Sequence, residues 1–102
     1  MKWIDAGPAA KLGDGQTVSI AIGRRVLAIV RSGEEYFAID DICTHDGSNL
    51  TGGAIEGAEI ICPRHGARFC LRTGAALTPP AYEPVRTYEL KIEGGNLWVR
   101  AD

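Results

Sequence analysis

Cys43-Thr-His45 and Cys62-Pro-Arg-His65-Gly66 are the two stretches of sequence that decide the fold and the chemistry of this chain. We call them the first and second ligand loops. Each carries one cysteine and one histidine, and the protein has no other histidine. Thiolates and imidazoles are the side chains that bind soft and borderline metals. The two loops therefore predict a metal centre.

The spacing within each loop indicates how the ligands meet. In Cys-x-His the two side chains share one face of an extended segment. In the second loop Pro63 fixes one backbone angle, and Gly66 allows a tight turn after the histidine. Two such loops facing each other form a cage of four ligands. One candidate is a Cys2His2 zinc site, although such sites usually pair like ligands on one element. The other is a [2Fe–2S] cluster in which two histidines replace two cysteines on one iron.

A longer stretch around the loops carries a family resemblance. Its segments are Cys43-Thr-His45-Asp-Gly-Ser-Asn-Leu50, Cys62-Pro-Arg-His-Gly-Ala67-Arg-Phe69, Arg72-Thr-Gly74 and Pro79-Pro80-Ala81. Together they resemble a Rieske-type iron–sulfur domain, and in particular the small Rieske ferredoxins that serve non-haem iron oxygenases. The resemblance extends from the strand before the first loop to the final hairpin.

The resemblance implies one Rieske-type [2Fe–2S] cluster and a role for each ligand. Cys43 and Cys62 would bind the iron that keeps all-sulfur ligation. His45 and His65 would bind the other iron, at a solvent-facing tip where redox partners dock. Pro79-Pro80 would form a rigid flap over one side of the cluster.

Four residues depart from the pattern of respiratory-chain Rieske proteins. Ser48 and Arg64 stand where that group has two further cysteines, so the disulfide that ties its loops cannot form. Ala67 and Phe69 stand where it has a serine and a tyrosine that donate hydrogen bonds to cluster sulfurs. Such bonds stabilise the reduced cluster. We therefore expect a potential in the lower part of the range of roughly −150 to +300 mV that Rieske clusters span.

Length and composition predict one compact domain over residues 1–102. The net charge of −2 is too small to favour nucleic acid as a partner. No apolar run approaches the roughly 18 residues of a membrane span, and the first residues contain no apolar signal core. Membrane-anchored Rieske proteins carry an N-terminal helix that is not seen here. These features predict a cytoplasmic protein without a membrane partner.

Short alternating segments separated by turn residues predict an all-β fold. The expected strands cover 17–22, 25–30, 36–39, 88–92 and 97–100, and residues 8–12 could form one short helical turn. We expect a Rieske-type antiparallel β-sandwich with a small cluster-binding subdomain inserted mid-chain. That subdomain would span about residues 40–81, and the base β-sandwich would comprise 1–39 and 82–102.

The residue inventory favours an electron carrier over an enzyme. Rieske oxygenases activate oxygen at a separate iron held by two histidines and a carboxylate, and both histidines of this chain are committed to the ligand loops. The resemblance implies a one-electron ferredoxin that receives electrons from an NAD(P)H-dependent flavoprotein reductase. It would pass them to a terminal oxygenase through transient contacts near His45 and His65. Three alternatives stay open: a small subunit of a nitrite-reductase-type complex, a zinc-stabilised binding module, and a redox or pH sensor.

Residues close to the ligand loops carry further expectations. Cys70 is expected to be a buried, inert thiol. Arg64 and Arg68 flank His65 and could help to dock an acidic partner. Asp46 could lower the reduction potential, since a negative charge favours the more positive state of the cluster.

Overall fold

The computed structural model describes residues 2–44, 47–64, 66–79 and 81–101. Within these residues the regular structure is almost entirely antiparallel β, with one short 3-10 turn at Ala9–Lys11. The strands are β1 (Lys2–Pro8), β2 (Thr17–Ile22), β3 (Arg25–Ser32), β4 (Glu35–Asp40), β5 (Ala54–Glu56), β6 (Glu59–Ile61), β7 (Arg68–Cys70), β8 (Thr87–Glu93) and β9 (Asn96–Ala101).

Six strands form the larger sheet, in the order β1-β9-β8-β4-β3-β2. Glycine-containing turns join its sequence neighbours: Gly33 lies between β3 and β4, and Gly94-Gly95 lies between β8 and β9. Gly94 and Gly95 both have positive φ, of 60° and 81° respectively. That conformation suits the right-handed twist of a two-residue hairpin. β1 pairs with β9, so the two ends of the chain are adjacent in the sheet.

The large sheet curls so that all six of its strands contribute side chains to one apolar core. We call this core the sandwich core; its buried members are Ala9, Leu12, Leu27, Ile29, Ala38, Leu97 and Val99. Strand β3 is buried on both faces, which explains its unbroken apolar run. Leu27 and Ile29 face the sandwich core, whereas Ala28 and Val30 face a second core. This alternation follows from the two-residue period of a strand.

The second core lies between the large sheet and a small sheet of order β5-β6-β7. We call it the loop core; its buried members are Ala28, Val30, Ile39, Cys43, Leu50, Ile60, Cys62, Ala67, Phe69, Leu71, Ala81 and Val85. The small sheet is inserted in the chain between β4 and β8. The all-β fold with a mid-chain insert is therefore confirmed, while the exact domain boundaries stay a prediction.

Sequence patterns found five of the nine strands and missed the rest. β5, β6 and β7 have three residues each, which is too short for an alternation to be recognised. β1 contains Asp5 and ends in Gly7 and Pro8, residues that are rare in strands. The short helical turn at residues 8–12 is confirmed as the 3-10 turn.

Along β2, Val18, Ile20 and Ile22 alternate with polar or small residues, a pattern that predicts one buried face, and this prediction is wrong at one of the three positions. Ile20 and Ile22 pack on the sandwich core, but Val18 is 41% exposed. β2 is an edge strand, so no further strand covers its outer side. In the described part of the chain, no helix is long and apolar enough to cross a membrane.

Candidate metal centre

The two ligand loops contain the same backbone turn. In the first loop the Cys43 N–H donates to Ser48 O at 2.6 Å, and the Gly47 N–H donates to Cys43 O at 2.8 Å. The second loop has the same two hydrogen bonds at the same spacing. The acceptor lies five residues after its cysteine, and the donor lies four residues after it. There the Cys62 N–H donates to Ala67 O at 2.7 Å, and the Gly66 N–H donates to Cys62 O at 3.0 Å.

Each turn depends on a glycine four residues after the cysteine. Gly47 has φ +79° and Gly66 has φ +75°, a left-handed conformation that glycine adopts at little steric cost. The same spacing places each histidine of the sequence between its cysteine and its glycine. The repeated turn therefore presents two short loops of equal construction, each with one thiol at its start.

Both cysteines of the loops are buried in the loop core. Cys43 is 0% exposed and Cys62 is 1% exposed. They share this core with apolar side chains such as Leu50 and Phe69. Neither cysteine forms a disulfide, so both thiols are chemically available as ligands. The structure thus brings Cys43 and Cys62 into one apolar environment, as a shared metal centre requires.

The two predicted histidine ligands, His45 and His65, lie outside the described residues, and so does Asp46. Their roles stay predictions based on the sequence. Pro80, the second residue of the predicted flap, also lies outside the described residues.

Asp41 is a site residue that the sequence analysis missed. Among the residues that the structure describes, it is the only charged one that is buried, with 6% of its surface exposed. Its Oδ1 accepts hydrogen bonds from the Leu50 and Thr51 N–H groups, both at 2.8 Å. Its Oδ2 accepts three side-chain bonds, from Ser19 Oγ at 2.8 Å, Asn49 Nδ2 at 2.9 Å and Thr51 Oγ1 at 2.6 Å.

These contacts determine the ionisation of Asp41. Burial raises the pKa of the carboxyl group, but the hydrogen bonds from Thr51, Asn49 and Ser19 favour the carboxylate and more than offset burial. The net effect is a pKa below the ordinary aspartate value. No sequence motif marks this role, because its partners come from β2 and from the segment after the first loop.

The segment that follows the second loop closes over the loop core from another side. Ala81 is buried in that core, and Thr44 Oγ1 in the first loop donates to Glu83 O at 2.6 Å. Further back, the Arg68 N–H donates to Thr78 Oγ1 at 3.0 Å. These bonds tie Thr78 to β7 and Glu83 to the first ligand loop, so described residues on both sides of the predicted flap are held close to the loop core.

Ala67 and Phe69 are both fully buried in the loop core. Neither side chain carries a hydroxyl group. Toward a bound cluster they would therefore offer apolar contact instead of two hydrogen-bond donors.

The structure alters two expectations about nearby residues. Arg68 is engaged by two carboxylates of the small sheet, Glu56 at 2.9 Å and Glu59 at 3.3 Å, and this pairing favours a structural role over docking. The prediction that Cys70 is buried is wrong, because it is only partly buried. Hydrogen bonds from Thr73 lower the pKa of the Cys70 thiol, while its prediction as inert stays a prediction.

The described residues fit a [2Fe–2S] cluster. Two thiols lie in one apolar core, on matched turns that hold them without a disulfide. Sulfur ligation by two cysteines on one iron, with nitrogen ligation on the other, is the donor set that the four loop residues offer.

Comparison with known proteins supports this fit. The ferredoxin component of the naphthalene 1,2-dioxygenase system of Pseudomonas aeruginosa is 36% identical over 98 residues, covering 96% of this chain and 94% of that protein. The ferredoxin of carbazole 1,9a-dioxygenase from Nocardioides aromaticivorans IC177 superimposes with a TM-score of 0.94 at 28% identity, over 100% of both chains.

Two further solved structures bear on the choice of partner. A structure described as a complex of reduced oxygenase and oxidised ferredoxin in carbazole 1,9a-dioxygenase matches with a TM-score of 0.89 at 30% identity, over 95% of this chain and 91% of that chain. A putative nitrite reductase small subunit from Mycobacterium tuberculosis has a TM-score of 0.88 over 99% of this chain and 96% of that chain. Its identity is only 19%, a likeness that concerns the fold alone.

The family model for the Rieske [2Fe-2S] domain matches residues 2–89. This match decides between the zinc site and the iron–sulfur cluster in favour of the cluster. With its matched ligand loops and its all-β frame, the chain belongs to the Rieske [2Fe-2S] domain family.

Proposed function

We propose that this protein is the ferredoxin component of a multicomponent non-haem iron oxygenase system. It accepts one electron from an NAD(P)H-dependent flavoprotein reductase and delivers it to a terminal oxygenase, in the cytoplasm. The similarity to dioxygenase ferredoxins over almost the whole chain is the observation that carries this proposal. The nitrite-reductase alternative has less support, because its structural likeness concerns the fold alone.

The proposed ligand set is Cys43 and Cys62 on one iron and His45 and His65 on the other. When bound, the cluster takes up and releases one electron. The chain contributes a rigid binding site that excludes water. Its two buried thiols lie on hydrogen-bonded turns and pack against apolar side chains. A binding site of this kind moves little on reduction. The structural reorganisation that accompanies electron transfer is therefore small.

Exposed apolar side chains beside the ligand loops support a transient contact there. Ile42 precedes Cys43 and is exposed, and Tyr82 follows the buried Ala81 and is 81% exposed. Aromatic and aliphatic side chains of this kind are typical of the centre of protein interfaces. The expected interface is small, below about 1,200 Å², as in other weak redox encounters.

The test is a stopped-flow measurement of electron delivery. The reduced protein is mixed anaerobically with oxidised terminal oxygenases, including that of the naphthalene 1,2-dioxygenase system, and separately with the catalytic subunit of a nitrite reductase. We expect an oxygenase to reoxidise the protein at a rate that saturates with oxygenase concentration. Reoxidation by nitrite reductase alone would contradict the proposal.

Tyr82→Ala is the matched docking variant. It should slow electron delivery at low oxygenase concentration and leave the midpoint potential unchanged. Ile92→Ala is its control, because Ile92 is also an exposed apolar residue but lies on β8, away from the ligand loops in sequence. Equal slowing by both variants would exclude a docking role for Tyr82.

A further inference from the structure

The two ligand loops contain the same turn but differ in the backbone structure that supports them. The second loop connects β6 and β7, and the ladder continues directly beneath it through the pairs Ile61 with Arg68 and Ile60 with Phe69. Beneath the first loop no such ladder exists in the described residues: 41–44 and 47–53 belong to no strand.

Asp41 takes the role of the missing ladder. The Asp41 backbone N–H donates to Val26 O of β3 at 2.9 Å, which fixes the start of the segment to the large sheet. The Asp41 Oδ1 atom accepts hydrogen bonds from the backbone N–H groups of Leu50 and Thr51, which lie after the loop in the chain. One side chain thus joins the two stems of the first loop, as backbone pairs join those of the second.

We propose that Asp41 is a positioning residue, which holds the first ligand loop ready for the cluster and whose negative charge lowers the reduction potential of that cluster. The inference rests on the proposed ligand set. All five donors to the carboxylate are backbone amides or uncharged side chains, so these hydrogen bonds leave its charge in place. A buried charge is screened little by solvent, and a negative charge near the cluster disfavours the added electron.

Two substitutions separate the geometric effect from the effect of charge. Asp41→Asn keeps a carbonyl oxygen for the Leu50 and Thr51 amides and removes the charge. The Ser19 and Thr51 hydroxyl groups can rotate to accept from the new amide, and the Asn49 side-chain amide can turn over so that its oxygen accepts as well. Asp41→Ala removes the acceptor altogether. The buried Leu50 amide and the partly buried Thr51 amide then lose this acceptor, which is a costly loss.

Asp14→Asn is the matched control. Asp14 Oδ1 also accepts a backbone hydrogen bond across a loop, from the Gly33 N–H at 2.7 Å. Gly33 lies at the opposite end of the β3–β4 hairpin from Asp41, roughly 20 Å away for a strand of this length. The substitution removes the same charge far from the ligand loops.

The experiment measures the midpoint potential and the hydrogen exchange of the full chain with its cluster. We expect a higher potential for Asp41→Asn than for the wild type and for Asp14→Asn. In Asp41→Ala, exchange in residues 47–53 should accelerate on the order of tenfold, with little change in residues 62–68. If Asp41→Ala does not assemble a cluster, the potential of Asp41→Asn still decides.

An unchanged potential in a cluster-loaded Asp41→Asn protein would overturn the effect of charge. Equal acceleration of exchange in both loops would overturn the positioning role and indicate a general loss of stability. Neither readout involves a redox partner. Failure of this inference is therefore distinguishable from failure of the proposed ferredoxin function.

Discussion

Ala67 is the residue through which we expect the loop core to influence the reduction potential of the cluster. It is fully buried, directly follows Gly66, and accepts the hydrogen bond from the Cys62 N–H. A hydroxyl group at this position would point into a core with few other acceptors. It would find its partner in cluster sulfur and stabilise the reduced state.

We therefore expect Ala67→Ser to raise the midpoint potential by about 60 mV, the one-electron equivalent of a tenfold change in equilibrium. Protein-film voltammetry of the cluster-loaded variant measures the shift. Ala21→Ser, on the exposed side of β2, is the control and should leave the potential unaltered. A lower or unchanged potential for Ala67→Ser, with the cluster intact, would refute this account of the low-potential site.

At this scale the sequence predicts ligands better than it predicts their supports. The ligand loops are recognisable because thiols and imidazoles in fixed spacing have few other uses. Asp41 is not recognisable, since an aspartate two residues before a cysteine is ordinary until Leu50 and Thr51 are seen to converge on it. The exposure of Cys70 likewise depends on how β7 packs, which a single residue letter does not reveal.

At the scale of elements, Gly74 joins the turn after β7 to the segment that precedes β8. The Val85 N–H donates to Gly74 O at 2.8 Å, and a Cβ atom at Gly74 would lie 2.0 Å from Val85 O. Gly74 also has φ +80°. Backbone meets backbone here, so neither side can move aside cheaply.

Gly74→Ala should destabilise the protein more than Gly23→Ala does. Both positions have positive φ, which costs a non-glycine residue about 1 kcal/mol, but a Cβ atom at Gly23 has nothing within 4 Å. The clash at Gly74 adds about 1–3 kcal/mol. Thermal unfolding should therefore show a midpoint several degrees lower for Gly74→Ala, at about 4–8 °C per kcal/mol for a domain of this size. Equal midpoints would show that the close approach is absent in solution.

The elements also show where periodicity stops being informative. β9 was predictable because it buries alternating side chains over its six residues, and β3 because it carries a continuous apolar run that is buried on both faces. The small sheet was not, because its strands gain their stability from packing Ile60 and Phe69 into the loop core and not from local pattern. β1 is a strand because its partner β9 supplies the pairing, in spite of its glycine and proline.

For the whole molecule, the six-stranded sheet acts as a rigid base and the two ligand loops are carried at one end of it. The loop core connects the two parts, since its buried members come from β3 and β4 as well as from the small sheet. The fold class and the family could be predicted from the sequence because the ligand loops and the alternating strands agree. The identity of the redox partners depends on the complementarity of two protein surfaces, which no residue pattern of one chain encodes.

The most direct test of the central claim is the EPR spectrum of the dithionite-reduced protein, with iron and acid-labile sulfide determined on the same sample. We predict two irons and two sulfides per chain and the signal of a mixed-ligand [2Fe–2S] cluster, as expected for a Rieske centre. That signal should be lost in His45→Ala and in His65→Ala. Stoichiometric zinc without sulfide, or a mixed-ligand signal that persists in either histidine variant, would contradict the account.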